Sequence, residues 1–158
     1  MINVAVYVVL GLALFLLSFF AKRRFGLLGL ALAAGSLLSG IWAFDAGLIA
    51  SLLGFPSNRI VAAIVTSIII LLPAVVLLFH GYTYKTMIGR LIGAALFTAL
   101  AMSLLITPLS TVFMPKGAEL TIYNKLYAAK DMIIGVGLII AVVDIALTRP
   151  ADNSKKRR

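Results

Sequence analysis

IVAAIVTSIIILLPAVVLLF, residues Ile60–Phe79, is the stretch whose reading decides the fold. It holds no charge, and Thr66 and Ser67 are its only side chains able to make a strong hydrogen bond. A hydrocarbon core about 30 Å thick takes roughly 20 residues at 1.5 Å each, so a helix over this stretch can cross a bilayer. A helix on a soluble protein shows a polar stripe, whereas this one is apolar all round. Working outward, four similar blocks run approximately over Val4–Phe20, Phe25–Phe44, Leu91–Phe113 and Met132–Thr148. Of the 158 residues 63% are hydrophobic and only 12% charged, about half the charged share of a soluble domain. The mean hydropathy is +1.14. The expectation is an all-α, polytopic membrane helical bundle. Residues 1–148 would be one domain of five transmembrane helices, and 149–158 a basic tail.

The first block is expected to be a retained span rather than a secretory signal. No basic region precedes it, and Phe19-Phe20-Ala21-Lys22 lacks a small-residue cleavage pattern. The chain has no cysteine, which excludes disulfides and thiolate-held metals. A net charge of +9 would fit a nucleic-acid binder only if it lay on a folded polar face. Here the basic residues flank apolar blocks, so no nucleic-acid partner is expected. The partners implied are the lipid bilayer and a second copy or another membrane protein.

That flanking charge also gives an orientation. Lys and Arg of short loops collect on the cytoplasmic side. Of the 14 basic residues, Arg59, Lys116, Lys125 and Lys130 fall on one side of five alternating crossings, and all others fall opposite. The amino terminus is therefore expected outside and the carboxyl terminus in the cytoplasm, in a cell inner membrane. The tail cluster Lys155, Lys156, Arg157 and Arg158 would anchor that topology. It could also hold anionic head groups at about 1 kcal/mol per basic residue.

Small residues recur in the second block at spacings of three and four: Gly26, Gly29, Ala33, Ser36 and Gly40. That period keeps them on one helix face, and in lipid such faces let backbones approach closely. Gly89 and Gly93 form a GxxxG spacing at the entry of the fourth block, which again reads as a tight helix crossing. Asp45-Ala46-Gly47 is the expected break after the second span, leaving Gly47–Phe55 as a short interfacial or re-entrant piece. Pro73 and Pro108 should kink their helices, with Thr66, Ser67, Thr107 and Ser110 near enough to satisfy the freed carbonyls. Between Pro115 and Asp131, Leu120, Tyr123, Leu126 and Tyr127 share a helical face. This reads as an amphipathic lead-in with tyrosines at the head-group level.

The inventory for chemistry is thin, with five carboxylates and one histidine. Asp144 is the first candidate, because an ionisable group inside a span is costly and often functional. It lies about 7.5 Å along the helix from Arg149, so a salt bridge to Lys85, Arg90 or Arg149 is the plain alternative. His80 ends the third block at the same surface and could pair with Asp144. Asp45 reads as the outer helix end. One histidine and scattered acids cannot complete a metal site, and no P-loop, dinucleotide or nucleophile-elbow pattern is present. No catalytic residue and no cofactor are expected.

From its first span to Thr111 the layout resembles the colicin V production protein family of small bacterial inner-membrane proteins. The points of likeness are a first span running into Lys22-Arg23-Arg24-Phe25-Gly26, and a small-residue-rich second span. A basic loop then leads into Gly89-Arg90-Leu91-Ile92-Gly93-Ala94-Ala95-Leu96. The resemblance implies an accessory role in secretion or envelope homeostasis and carries over no catalytic residue. The alternative expectation is a small transporter or channel, with a path near Asp144, His80, Pro73 and Pro108.

Overall fold

A computed structural model describes residues 2–42, 51, 52, 54, 58–79, 84, 86–113 and 118–147. Among these residues five long helices follow in chain order: α1 (Ile2–Ala21), α2 (Phe25–Trp42), α3 (Arg59–Phe79), α4 (Met87–Ser110) and α5 (Ala118–Ala146). Local chemistry sets several of these limits. Lys22 takes a left-handed conformation, φ 59°, which ends α1 and turns the chain into α2 within three residues. Asn58 starts α3 by accepting the Val61 N–H on its side-chain oxygen at 2.8 Å. Thr86 does the same for α4, accepting the Gly89 N–H at 3.3 Å, so that helix begins four residues ahead of the apolar block. The lead-in and the fifth block form one continuous helix of 29 residues, with no proline to interrupt it. The piece expected over Gly47–Phe55 lies for the most part outside the described residues.

The helices run up and down. Gly26, at the start of α2, meets Asp144, near the end of α5. At the opposite end, Tyr7 of α1 donates to the Phe113 carbonyl just past α4 at 3.4 Å. α2 packs on α3, α5 and α4, and α4 packs in turn on α1, α3 and α5. Phe25, Leu28 and Leu32 of α2 and Phe97, Leu100 and Leu105 of α4 are buried at the centre. Ile70 and Ala74 of α3, Ala141 of α5 and Leu14 of α1 complete that cluster.

The outer surface is as apolar as the inside. Ile60, Ile64, Ile68 and Leu72 form a row at i, i+4 spacing along α3, each 52–54% exposed. Met132, Val136 and Ile139 do likewise on α5. In water such rows would be a severe liability, whereas against lipid tails they cost nothing. α2, α3, α4 and the Tyr123–Ala146 part of α5 are long and apolar enough to cross a membrane, and α1 adds a shorter apolar stretch, Ala5–Ala21. Helices with this length and this outward face are those of a membrane protein.

Pro73 and Pro108 stand inside helices that continue past them. Each lacks the N–H that would bond the carbonyl four residues back, those of Ile69 and Leu104. The nearby hydroxyls serve other carbonyls than those expected. Thr66 bonds Ala62 O (2.9 Å), Ser67 bonds Ala63 O (2.7 Å) and Ser110 bonds Thr107 O (2.8 Å). The reason is reach: helical side chains point back toward the N-terminus, so Thr66 and Ser67 bond the preceding turn and not Ile69 ahead of them, while Ser110 bonds three residues back and Leu104 lies six back.

Candidate functional site

The densest polar geometry lies where α1 turns into α2 and the ends of α3 and α5 meet. A helix begins with N–H groups that have no partner inside it. At α2 the Gly26 N–H donates to Asp144 Oδ2 at 2.8 Å, and the Phe25 N–H donates to the Tyr84 hydroxyl oxygen at 3.2 Å. That hydroxyl in turn donates to Asp144 Oδ2 at 3.3 Å. A carboxylate at a helix N-terminus is also favoured by the helix dipole. Asp144 is thus a cap supplied by another helix, and Tyr84 is the link between the two.

The neighbouring residues close the same clasp. The Lys22 carbonyl accepts the Tyr84 N–H at 2.9 Å. Arg23 donates through Nε to Leu78 O (2.9 Å) and through Nη2 to Phe79 O (2.8 Å), closing the last turn of α3. The Arg24 guanidinium stands 5.5 Å from the centre of the Tyr84 ring. Burial pushes the Tyr84 phenol up from its usual range; the bond from the Phe25 amide opposes that and the Asp144 charge adds to it. Tyr84 therefore stays protonated, as its donor role to Asp144 requires.

Of the residues singled out from the sequence, Gly26 and Gly29 of α2 pack against α5. A methyl group at Gly26 would meet Ala141 O at 2.6 Å and Asp144 Oδ2 at 3.0 Å, and one at Gly29 would meet Ala141 Cβ at 2.9 Å. The face does not continue as one contact. Ala33 and Ser36 are half-buried, and Gly40 is exposed with nothing within 4 Å. The tightest approach is instead at Gly35, which the three-and-four series skips: there a methyl group would collide with the Ile70 carbonyl of α3. Gly89 and Gly93 seat a ring rather than a helix. The atoms nearest a methyl at Gly93 all belong to Tyr84, the closest at 2.6 Å, and at Gly89 they are Thr86 Oγ1 and Tyr84 Cδ1, each at 3.0 Å. Arg90, one expected partner of Asp144, turns its Nε toward the Tyr84 carbonyl at 3.4 Å. His80, Asp45, Lys85, Arg149, Lys155, Lys156, Arg157 and Arg158 lie outside the described residues.

Sequence reasoning missed Tyr84 and Gly35. The signal for Tyr84 was available: two glycines four apart, with an aromatic residue just ahead of them, can cradle its ring. On α5 Tyr123 stacks on Tyr127 at 5.8 Å, with the Lys130 ammonium 3.9 Å from the Tyr127 ring centre.

At the end of the bundle away from the clasp, α2, α3 and α4 diverge around a cavity of about 640 Å³. Its wall includes Ser36, Ser39, Thr66, Thr107, Thr111 and Arg59. Among the described residues no cluster of three or more His, Asp or Glu side chains stands ready to hold a metal. The clasp performs no chemistry that its geometry reveals. What it does is join four chain segments through one carboxylate, one phenol and two guanidinium groups. No family model, no curated protein and no solved structure matches this chain.

Proposed function

We propose that this chain is a five-span integral protein of a bacterial inner membrane that acts without catalysis, by assembly. Its amino terminus faces outside and its carboxyl terminus the cytoplasm. The role is the secretion-accessory or envelope-homeostasis role that the resemblance to the colicin V production protein family implies. The positive-inside count supports the orientation, and a reporter fused after Arg158 should read cytoplasmic. An external reading there would refute it.

One observation carries the assembly reading. The small-residue faces of α2 and α4 are largely spent inside the chain, whereas Gly135 on α5 has nothing within 4 Å. It lies among the exposed Met132, Val136 and Ile139, so it forms a notch on an outward apolar face where a second helix backbone can approach. Asp144, the residue named for a transport path in the alternative reading, bonds Gly26 and Tyr84.

The test is cross-linking in native membranes with two leucine variants. Gly135→Leu should abolish the higher-mass complex and leave the protein folded, since a Cβ there has nothing within 4 Å. Gly29→Leu should destabilise the protein itself. A complex of unchanged size in Gly135→Leu would sink assembly through this face.

A further inference from the structure

We infer that the cavity between α2, α3 and α4 is a binding groove for one anionic phospholipid. Its phosphate would lie at Arg59 and Lys130, and one acyl chain along the wall. The inference rests on the membrane reading and on three features of the groove.

The first is charge. Arg59 lines the mouth, at the N-terminus of α3, where the helix dipole is also positive. Lys130 approaches from α5, its Nζ 3.3 Å from Oγ1 of the lining residue Thr107. No Asp or Glu is among the described lining residues. The groove thus carries one cation in its lining and a second bonded to a lining hydroxyl from α5, and both favour an anion.

The second is the state of the hydroxyls. A wall with five hydroxyls looks built for a polar solute, but four of them have given their protons away. Ser36 donates to Ala33 O, Ser39 to Ser36 O, Thr66 to Ala62 O and Thr111 to Pro108 O, at 2.7–3.0 Å. What remains toward the groove is methyl, methylene and lone pairs, with Ala62, Ala63, Ile70, Leu104 and Pro108 between them. Such a wall offers few donors to a sugar or a carboxylate and accepts a hydrocarbon chain.

The third is length. From Arg59 to Ile70 the groove follows eleven residues of α3, about 16 Å at 1.5 Å each. Half of a hydrocarbon core about 30 Å thick is about 15 Å. The groove thus spans one leaflet, from the head-group level to the midplane, as one acyl chain does.

Trp42 is the only tryptophan, half exposed and two residues beyond the lining Gly40, so its fluorescence reports on the mouth. The full chain would be placed in phosphatidylcholine nanodiscs containing a few mole per cent of dibrominated phosphatidylglycerol or dibrominated phosphatidylcholine. The phosphatidylglycerol should quench at lower mole fraction, by about fivefold for each basic residue engaged. Arg59→Gln, a change at an exposed position, should lower that preference by about the same factor. Thr66→Leu, which fills the wall, should weaken quenching by both lipids while the helical signal and elution volume stay those of the parent. Equal quenching by the two lipids, a preference untouched by Arg59→Gln, or full displacement by inorganic phosphate would each overturn the inference. Failure of the chain to enter the nanodisc would overturn the membrane reading itself.

Discussion

Removing the carboxylate of Asp144 should unfold the end of the bundle it holds. In Asp144→Ala the Gly26 N–H loses an acceptor at 2.8 Å and the Tyr84 hydroxyl one at 3.3 Å. A hydrogen bond to a charged group contributes roughly 1.5–3 kcal/mol. The first contact is short enough for the middle of that range, and the second, longer one falls well below it. The favourable placement of a negative charge at the α2 N-terminus adds about 0.3–1 kcal/mol. Together these give about 3 kcal/mol. Asp144→Asn keeps an acceptor oxygen but no charge, so its cost should be about half as large, roughly 1.5 kcal/mol by the same contributions. The assay is reversible unfolding in mixed micelles, with sodium dodecyl sulfate as denaturant and far-ultraviolet circular dichroism as readout. A cycle with Tyr84→Phe then measures the coupling, because the two residues share a bond and should not be additive. If Asp144→Ala unfolds within 0.5 kcal/mol of the parent, a margin typical of surface changes, the clasp is not what holds these helices.

Two further outcomes follow from the same geometry. Gly35→Ala sets a methyl group against the Ile70 backbone carbonyl, which cannot rotate away, and should destabilise by about 1–3 kcal/mol. Gly40→Ala meets open space and should be neutral or stabilising by up to about 1 kcal/mol through helix propensity; the same micelle titration ranks the pair, and a reversed order would refute the contact. Tyr84 supplies a pH dependence of fixed sign. Its folded pKa lies above the unfolded value, so its stabilisation is complete below about pH 10 and is lost as pH rises through the folded value. Melting followed between neutral and strongly alkaline pH should show that loss in the parent and less of it in Tyr84→Phe.

The sequence disclosed the architecture more fully than the site, for physical reasons. Apolar blocks separated by charge are a property of each segment alone, so the helices could be read without knowing what they touch. Boundaries shifted where a single polar residue intervened, as Thr86 did in opening α4. Partnerships were harder. Gly89 and Gly93 had the spacing of a helix crossing, yet glycine records only that space is needed and not what fills it. Here it was a ring from the preceding loop. Asp144 stood out as an ionisable group inside a span, but one of its partners is a backbone N–H, which every residue except proline owns and no pattern marks. Gly35 fell one position off a regular series whose regularity was mistaken for a shared contact. The groove depends on three helices parting, which no single stretch can announce.

The clasp also has a consequence for how the molecule is made. The carboxylate that caps α2 is synthesised 118 residues after the amide it serves. At roughly 5–20 residues per second, a ribosome delivers it on the order of ten seconds later. Until then the helices already made lack this acceptor for the first N–H groups of α2. Arrival of α5 is then the event that closes the clasp, so the order of synthesis fixes when α2 gains its cap.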